Sequence, residues 1–150
     1  MRAVLQRVSR AAVRVDGAVV GSIGRGLVVL VGVGPADDEQ TADALARRVV
    51  ELRIHQDAAG RTNLDLVAVG GAVLAISQFT LYADTRRGRR PGFSAAAPPE
   101  VAARLYDRFC AAVAALGVPV ARGVFGTLME VELVNEGPMT IWLDSAVRGG

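Results

Sequence analysis

Lysine is absent from this chain: all 17 basic residues are arginine, set against 15 acidic ones, and cysteine and histidine occur once each, as Cys110 and His55. A lone cysteine excludes an internal disulfide and any multi-cysteine metal site, and it suits a reducing compartment. With one histidine no zinc set can be assembled and no Cys-His pair has a supporting spacing, while a serine triad would have to recruit His55. The missing lysine rules out a phosphate-loop lysine, and Gly32-x-Gly34 lacks the third glycine of a dinucleotide fingerprint. No Gly-x-Ser-x-Gly elbow occurs, and the carboxylates are scattered singly rather than paired for acid and base roles. No apolar run approaches the roughly 18 residues that a membrane-spanning helix needs, and the first residues lead into strand-like sequence without a secretory pattern. A cytoplasmic chain with no membrane contact, no metal and no cofactor is expected. If it is an enzyme, it works without the usual side-chain machinery.

What is present fits one domain over residues 1–150, large enough to bury roughly two thirds of the surface of its unfolded form. Net charge is close to neutral at +2, so the chain is not coated in positive charge. The planar fork of arginine suits phosphate, and a genomic compositional bias gives the same preference. Clustering is more informative than the total: Arg86-Arg87-Gly88-Arg89-Arg90 places four positive charges in five residues, either as a solvated loop or where they could meet a polyanion.

In chain order, Met1 to Ser9 alternates loosely and reads as a strand. Ala12 to Val15 and Ala18 to Ile23 flank Asp16-Gly17, a strong two-residue hairpin signal. Leu27 to Val33 is a continuous apolar run and predicts a central strand, so the first third is an antiparallel meander. Asp37 with Gln40 resembles a capping box, and Ala42, Leu45, Val49 and Leu52 form the apolar stripe of a first helix. A turn over Asp57 to Gly60 precedes a short strand expected around Leu64 to Val69. The second helix opens at Pro98-Pro99-Glu100, carries Val101, Leu105, Phe109, Val113 and Leu116 on one face with Cys110 beside them as a packing residue, and stops at Gly117. Strands are expected again over Val120 to Phe125, Leu128 to Val134 and Met139 to Leu143.

Two polar stretches interrupt this pattern. Val73 to Ile76 predicts a buried strand, and Ser77, Gln78 and Thr80 then place two hydroxyls and an amide where an apolar strand would continue, so that either the fold or a ligand must satisfy them. Asn135-Glu136-Gly137-Pro138 separates two of the late strands and reads locally as a turn.

Ser77-Gln78-Phe79-Thr80-Leu81 together with Asn135-Glu136-Gly137-Pro138-Met139-Thr140 resembles the motif pair of the D-aminoacyl-tRNA deacylases, also called D-tyrosyl-tRNA deacylases. The likeness extends to Leu5-Gln6-Arg7-Val8, Ala83-Asp84-Thr85, Arg90-Pro91-Gly92-Phe93-Ser94, and Phe125 with Met129. Departures are small: Glu136 stands where aspartate is commoner, Met139 where valine is, and Thr127 where a small apolar residue is frequent. The resemblance implies a mixed α+β chain, mainly antiparallel sheets in a barrel-like or layered arrangement with two main helices packed on one side, forming a homodimer. It implies a hydrolase that cleaves the ester between a D-amino acid, or glycine, and the terminal ribose of a tRNA. The Gly137-Pro138 bond would be cis and would enter the active site of the other subunit.

By the same resemblance, Ser77, Gln78, Phe79 and Thr80 form the catalytic segment, with backbone donors near Phe79 and Thr80 in an oxyanion-hole role. Gly137 and Pro138 would exclude L side chains, Arg7 would hold the Gly-Pro loop through a backbone carbonyl, and Phe125 and Met129 would receive the terminal adenine. Thr80 as a nucleophile would need an adjacent base, and the sequence supplies none, so assistance by the vicinal 2′-hydroxyl of the tRNA is expected instead. The arginine cluster is a candidate contact for the tRNA backbone. From a different class comes a noncatalytic RNA-binding or ribosome-associated domain, which explains the arginine run but not the two polar motifs.

Overall fold

Strand β1 (Arg2–Val15) is the strand on which the rest is laid. The computed structural model describes residues 1–147. Along one edge β1 pairs antiparallel with β8 (Glu130–Asp144) over almost its whole length; along the other it pairs first with β3 (Gly26–Gly32) and then with β2 (Ala18–Ile23). Asp16 and Gly17 both take positive φ, the conformation a tight hairpin between β1 and β2 requires. From β3 the sheet continues in parallel to β6 (Ala72–Ser77) and then to β7 (Val120–Arg122). It curls until β7 nears β2, where a Cβ built on Gly21 would lie 2.7 Å from the Arg122 carbonyl oxygen. The result is a nearly closed mixed sheet, flanked by a two-stranded ribbon of β4 (His55–Gln56) and β5 (Thr62–Leu64).

Both faces of the sheet are covered, which explains why β3 and β6 are apolar throughout rather than alternating. Leu27, Val29, Val31, Val73 and Ala75 face the two helices, α1 (Glu39–Glu51) and α2 (Pro99–Ala115), which pack side by side on that face. Val28, Leu74 and Ile76 point the other way, into a smaller core with Val8, Val13, Met129 and Leu133. The helical stripes are those the spacing predicts, with Leu52, Val101 and Leu116 only partly buried at the ends. Cys110 is buried in the α2 face, and burial pushes its thiol up to about 11, as befits a packing residue.

Three local expectations are corrected. The first helix is capped by Asp38, whose carboxylate accepts from the Thr41 backbone N–H at 2.8 Å, while Asp37 accepts from the Gly34 N–H at 2.6 Å. The strand expected over Leu64 to Val69 lies earlier, at Thr62–Leu64, because the Asp65 carboxylate captures the Ala68 N–H at 2.8 Å and turns the chain. Asn135-Glu136-Gly137-Pro138 is no turn between two strands but an excursion within β8, which runs unbroken from Glu130 to Asp144. The ladder passes from Gln6↔Thr140 to Val8↔Asn135, so Glu136, Gly137, Pro138 and Met139 stand opposite Arg7 alone. Pro138 has no N–H to give a ladder, which suits it to a place where the rungs are missing.

Candidate active site

Strand β6 is apolar until Ile76, then delivers Ser77, Gln78 and Phe79 to the wall of a cleft of about 820 Å³. Phe125, Met129, Phe93 and Tyr106 line it too. Gln78 is the last residue held by the sheet, its N–H donating to the Val31 carbonyl at 2.7 Å. A 3₁₀ turn (Phe79–Tyr82) begins immediately afterwards, and its first N–H groups, on Phe79 and Thr80, have no acceptor among the described residues. The Gln78 side-chain amide donates to Thr80 Oγ1. Among the described residues no carboxylate or imidazole hydrogen-bonds that hydroxyl, and Thr80 does not itself line the cleft.

The rest of the lining is largely aromatic and apolar. Phe79 and Phe93 meet edge to face at 5.0 Å between centroids, and Tyr106 lies 6.3 Å from Phe125. Burial raises the Tyr106 phenol far above its ordinary value, and its hydroxyl donates to the Ala75 carbonyl at 2.8 Å, so it stays protonated at neutral pH and shapes the cleft. Met129 is fixed from behind by the closeness of Gly123, where a Cβ would lie 2.6 Å from its sulfur.

Gly137 and Pro138 are joined by a cis peptide, are exposed, and do not line the cleft of their own chain. Arg7, buried at 5% exposure, donates from Nε to the Glu136 carbonyl at 2.8 Å and from a terminal nitrogen to the Ile54 carbonyl at 2.5 Å. Asn135 Nδ2 donates to the Arg7 carbonyl and to Gln6 Oε1, both at 2.9 Å, and Thr140 Oγ1 also donates to Gln6 Oε1 at 2.9 Å. A Cβ at position 137 would collide with Asn135 Oδ1, so any other residue there would have to displace the Asn135 side chain and its bonds to Arg7 and Gln6. The chain therefore carries two separate polar constructions, the end of β6 with Ser77, Gln78 and Phe79 on the cleft and the free N–H groups of Phe79 and Thr80 following it, and the pinned Gly-Pro excursion.

His55 is fully buried, and neither ring nitrogen has a hydrogen-bond partner among the described residues. Burial first, then the positive charges of Arg25 and Arg7, hold its imidazole below the ordinary value, so it is neutral at pH 7 and far from serving a serine. Among the described residues no three His, Cys, Asp or Glu side chains come together as a metal set, and no helix is long and apolar enough to cross a membrane. Sequence reasoning misses Gln6, Phe93 and Tyr106 as site residues; Gln6 and Phe93 fall within stretches that carry the resemblance, but nothing local marks Tyr106.

A model of the D-Tyr-tRNA(Tyr) deacylase family matches residues 4–144. The chain belongs to this family. A D-aminoacyl-tRNA deacylase of Thermomicrobium roseum is 59% identical over 100% of this chain and 98% of the relative, and one from Anaeromyxobacter dehalogenans is 59% identical over 97% of each. Among solved structures, the c-Myc DNA Unwinding Element Binding Protein superposes with a TM-score of 0.91 at 35% identity, covering 96% of this chain and 98% of that one. A probable eukaryotic D-amino acid tRNA deacylase shares the fold at a TM-score of 0.83 and 21% identity, over 95% of this chain and 97% of that one. Membership in a deacylase family makes the chain a hydrolase and decides against a noncatalytic binding domain.

Proposed function

We propose that the chain, acting as one domain over residues 1–150 in the cytoplasm, hydrolyses the ester joining a D-amino acid, or glycine, to the 3′-terminal ribose of a tRNA. Support comes first from the uncommitted N–H groups of Phe79 and Thr80, where the polar motif leaves β6 at the cleft. Two donors set side by side can take the charge that develops on the ester carbonyl oxygen as water adds to it; removing one such donor in other hydrolases costs on the order of a hundredfold or more. Ser77 and Gln78 hold this segment, and Phe125 and Met129 offer the flat apolar surface a terminal adenine would lie on. Thr80 Oγ1 is occupied by the Gln78 amide and lacks a base, so the vicinal 2′-hydroxyl of the substrate, rather than Thr80, assists the attacking water.

Selection by handedness must ignore the side chain, because many side chains are accepted. The carbonyls of Gly137 and Pro138 are suited to that task when a second copy of the chain lends its excursion to this cleft: an L side chain meets backbone, a D side chain points away, and glycine offers only hydrogen. In its own chain the excursion is exposed and held by Arg7, in keeping with donation to a partner in a homodimer. Incubation with D-tyrosyl-, L-tyrosyl- and glycyl-tRNA provides the test. Loss of the D and glycyl esters with survival of the L ester is expected, and Thr80→Ala should keep clear activity. Equal cleavage of both enantiomers would remove the chirality argument, and complete inactivity of a folded Thr80→Ala would move the nucleophilic role to Thr80.

A further inference from the structure

The run Arg86-Arg87-Gly88-Arg89-Arg90 forms an exposed loop closed at its base by a bridge between Asp84 and Gly92, with N–H to carbonyl bonds of 2.7 and 2.9 Å. One of its four arginines is already committed. Asp84 accepts a two-pronged pair from Arg86, Nε at 2.8 Å and a terminal nitrogen at 2.7 Å, together with the Arg86 backbone N–H at 3.0 Å. That guanidinium holds the Asp84 carboxyl far below its ordinary value. Arg87, Arg89 and Arg90 have no acidic partner among the described residues. Arg10, Arg25, Arg48 and Arg53 also lack one among the described residues but are scattered along the chain, whereas these three fall within four consecutive positions; Arg14, Arg47, Arg61, Arg104, Arg108 and Arg122 each face a carboxylate within 4.0 Å. Three unneutralised charges on one loop also exceed the net charge of the whole chain, +2, so the excess is local.

The position of the loop gives the charge a direction. Gly92 at its base is followed by Phe93, whose ring packs on Phe79 at the cleft wall, so the loop is rooted in the same aromatic pair that borders the Ser77–Phe79 segment. A ligand whose reactive end enters the cleft, and which carries regularly spaced anions beyond that end, would run past Arg87, Arg89 and Arg90. We infer that these three arginines grip the phosphodiester backbone of the single-stranded acceptor end of the tRNA, while Arg86, tied to Asp84, keeps the loop in shape. The inference rests on the proposed tRNA ester substrate and adds to it a binding surface separate from the reacting groups. Contact with phosphate alone carries no sequence information, so the loop supplies affinity without preference for particular tRNAs.

The triple variant Arg87→Gln/Arg89→Gln/Arg90→Gln tests it, beside a charge-matched control, Arg47→Gln/Arg48→Gln/Arg61→Gln. Binding of uncharged tRNA is followed by fluorescence anisotropy over a range of KCl concentrations. Cleavage of D-tyrosyl-tRNA is compared with cleavage of D-tyrosyl-adenosine, which has the same ester and no phosphate. In the triple variant the slope of log affinity against log salt should fall by about 2, since roughly 0.7 counterion is released per single-strand phosphate. KM for D-tyrosyl-tRNA should rise by about tenfold or more at low salt with kcat unchanged, and the adenosine ester should be cleaved as before. An unchanged slope, or a control that loses as much as the triple variant, overturns the inference. Equal loss on the phosphate-free ester would also overturn it, by making the loop a part of the cleft wall. Wild-type protein that binds tRNA with the expected slope yet cleaves no ester would sink the proposed function and leave the phosphate contact standing.

Discussion

His55 is an imidazole in full burial, beside the one buried guanidinium of the described chain, Arg7. Burial and the charges of Arg25 and Arg7 favour its neutral form, against a weaker opposite pull from Glu136 and Asp65. An unfolded chain takes up this proton from about pH 6.5 downward, whereas the folded chain resists it to lower pH. Stability from this residue is therefore complete above about pH 6.5 and declines as the pH falls toward the lowered folded value, by at most about 1.4 kcal/mol per pH unit. Urea unfolding at neutral pH and at about pH 5.5, above the range where most carboxylates titrate, should show a falling midpoint for the wild type and a flatter profile for His55→Phe. Parallel profiles would mean that the imidazole is not desolvated. In the sequence His55 is legible as structural, since nothing near it supports catalysis. The free N–H groups of Phe79 and Thr80 are not legible, because a break between sheet and 3₁₀ turn leaves no compositional mark.

At the scale of the element, the helices and the first hairpin follow from spacing and turn chemistry, which act over a few residues. Asp37 and Asp38 show the limit of such reasoning. Either acid could cap α1, and the choice fell to Asp38 because the Asp37 carboxylate is used by Gly34, with Tyr82 behind it at 3.4 Å. Strand β8 shows a deeper limit. Asn-Glu-Gly-Pro is a turn by every local criterion, yet β1 supplies rungs on both sides of it, and a partner more than a hundred residues away overrides the local preference. The excursion is then pinned by Arg7, a buried cation satisfied by two carbonyls instead of a carboxylate. Arg7→Met keeps much of the apolar stem but strands both carbonyls, at a cost of about 1–3 kcal/mol for each group left without a partner. A lowered urea midpoint is expected, together with faster cleavage of L-tyrosyl-tRNA relative to the D ester. Unaltered discrimination in a destabilised Arg7→Met would confine this arginine to a role in folding.

For the molecule as a whole, the layout of the sheet decides what is left uncovered. Among the described residues strand β8 pairs only with β1 and presents Val131, Val134 and Trp142 to solvent, while Phe79, Phe125 and Leu128, the last 95% exposed, stand at the cleft. Exposed apolar side chains of this kind are in keeping with the proposed homodimer. A dimer is expected by sedimentation, and Val134→Arg should shift it to monomer and abolish cleavage of D-tyrosyl-tRNA while leaving the circular dichroism spectrum intact. A monomeric, fully active Val134→Arg would end the idea of a shared site. The family resemblance, with the order of strand and helix signals consistent with it, implies the class of fold, and the two polar motifs stand out in the sequence itself. That the motifs lie apart within a single chain is implied by the resemblance alone, since it depends on how the sheet curls and no local pattern records it.

The pairing of the first strand with the last has a consequence for biosynthesis. Arg7 emerges from the ribosome early and must wait for Glu136, 129 positions later, before its guanidinium finds that carbonyl. Contacts so distant along the chain fold slowly, and the segments lining the cleft are all translated before the Gly-Pro stretch. The growing polypeptide thus contains every residue that lines the cleft before it contains the device proposed to judge handedness, so the part assigned to discrimination is the last to be made.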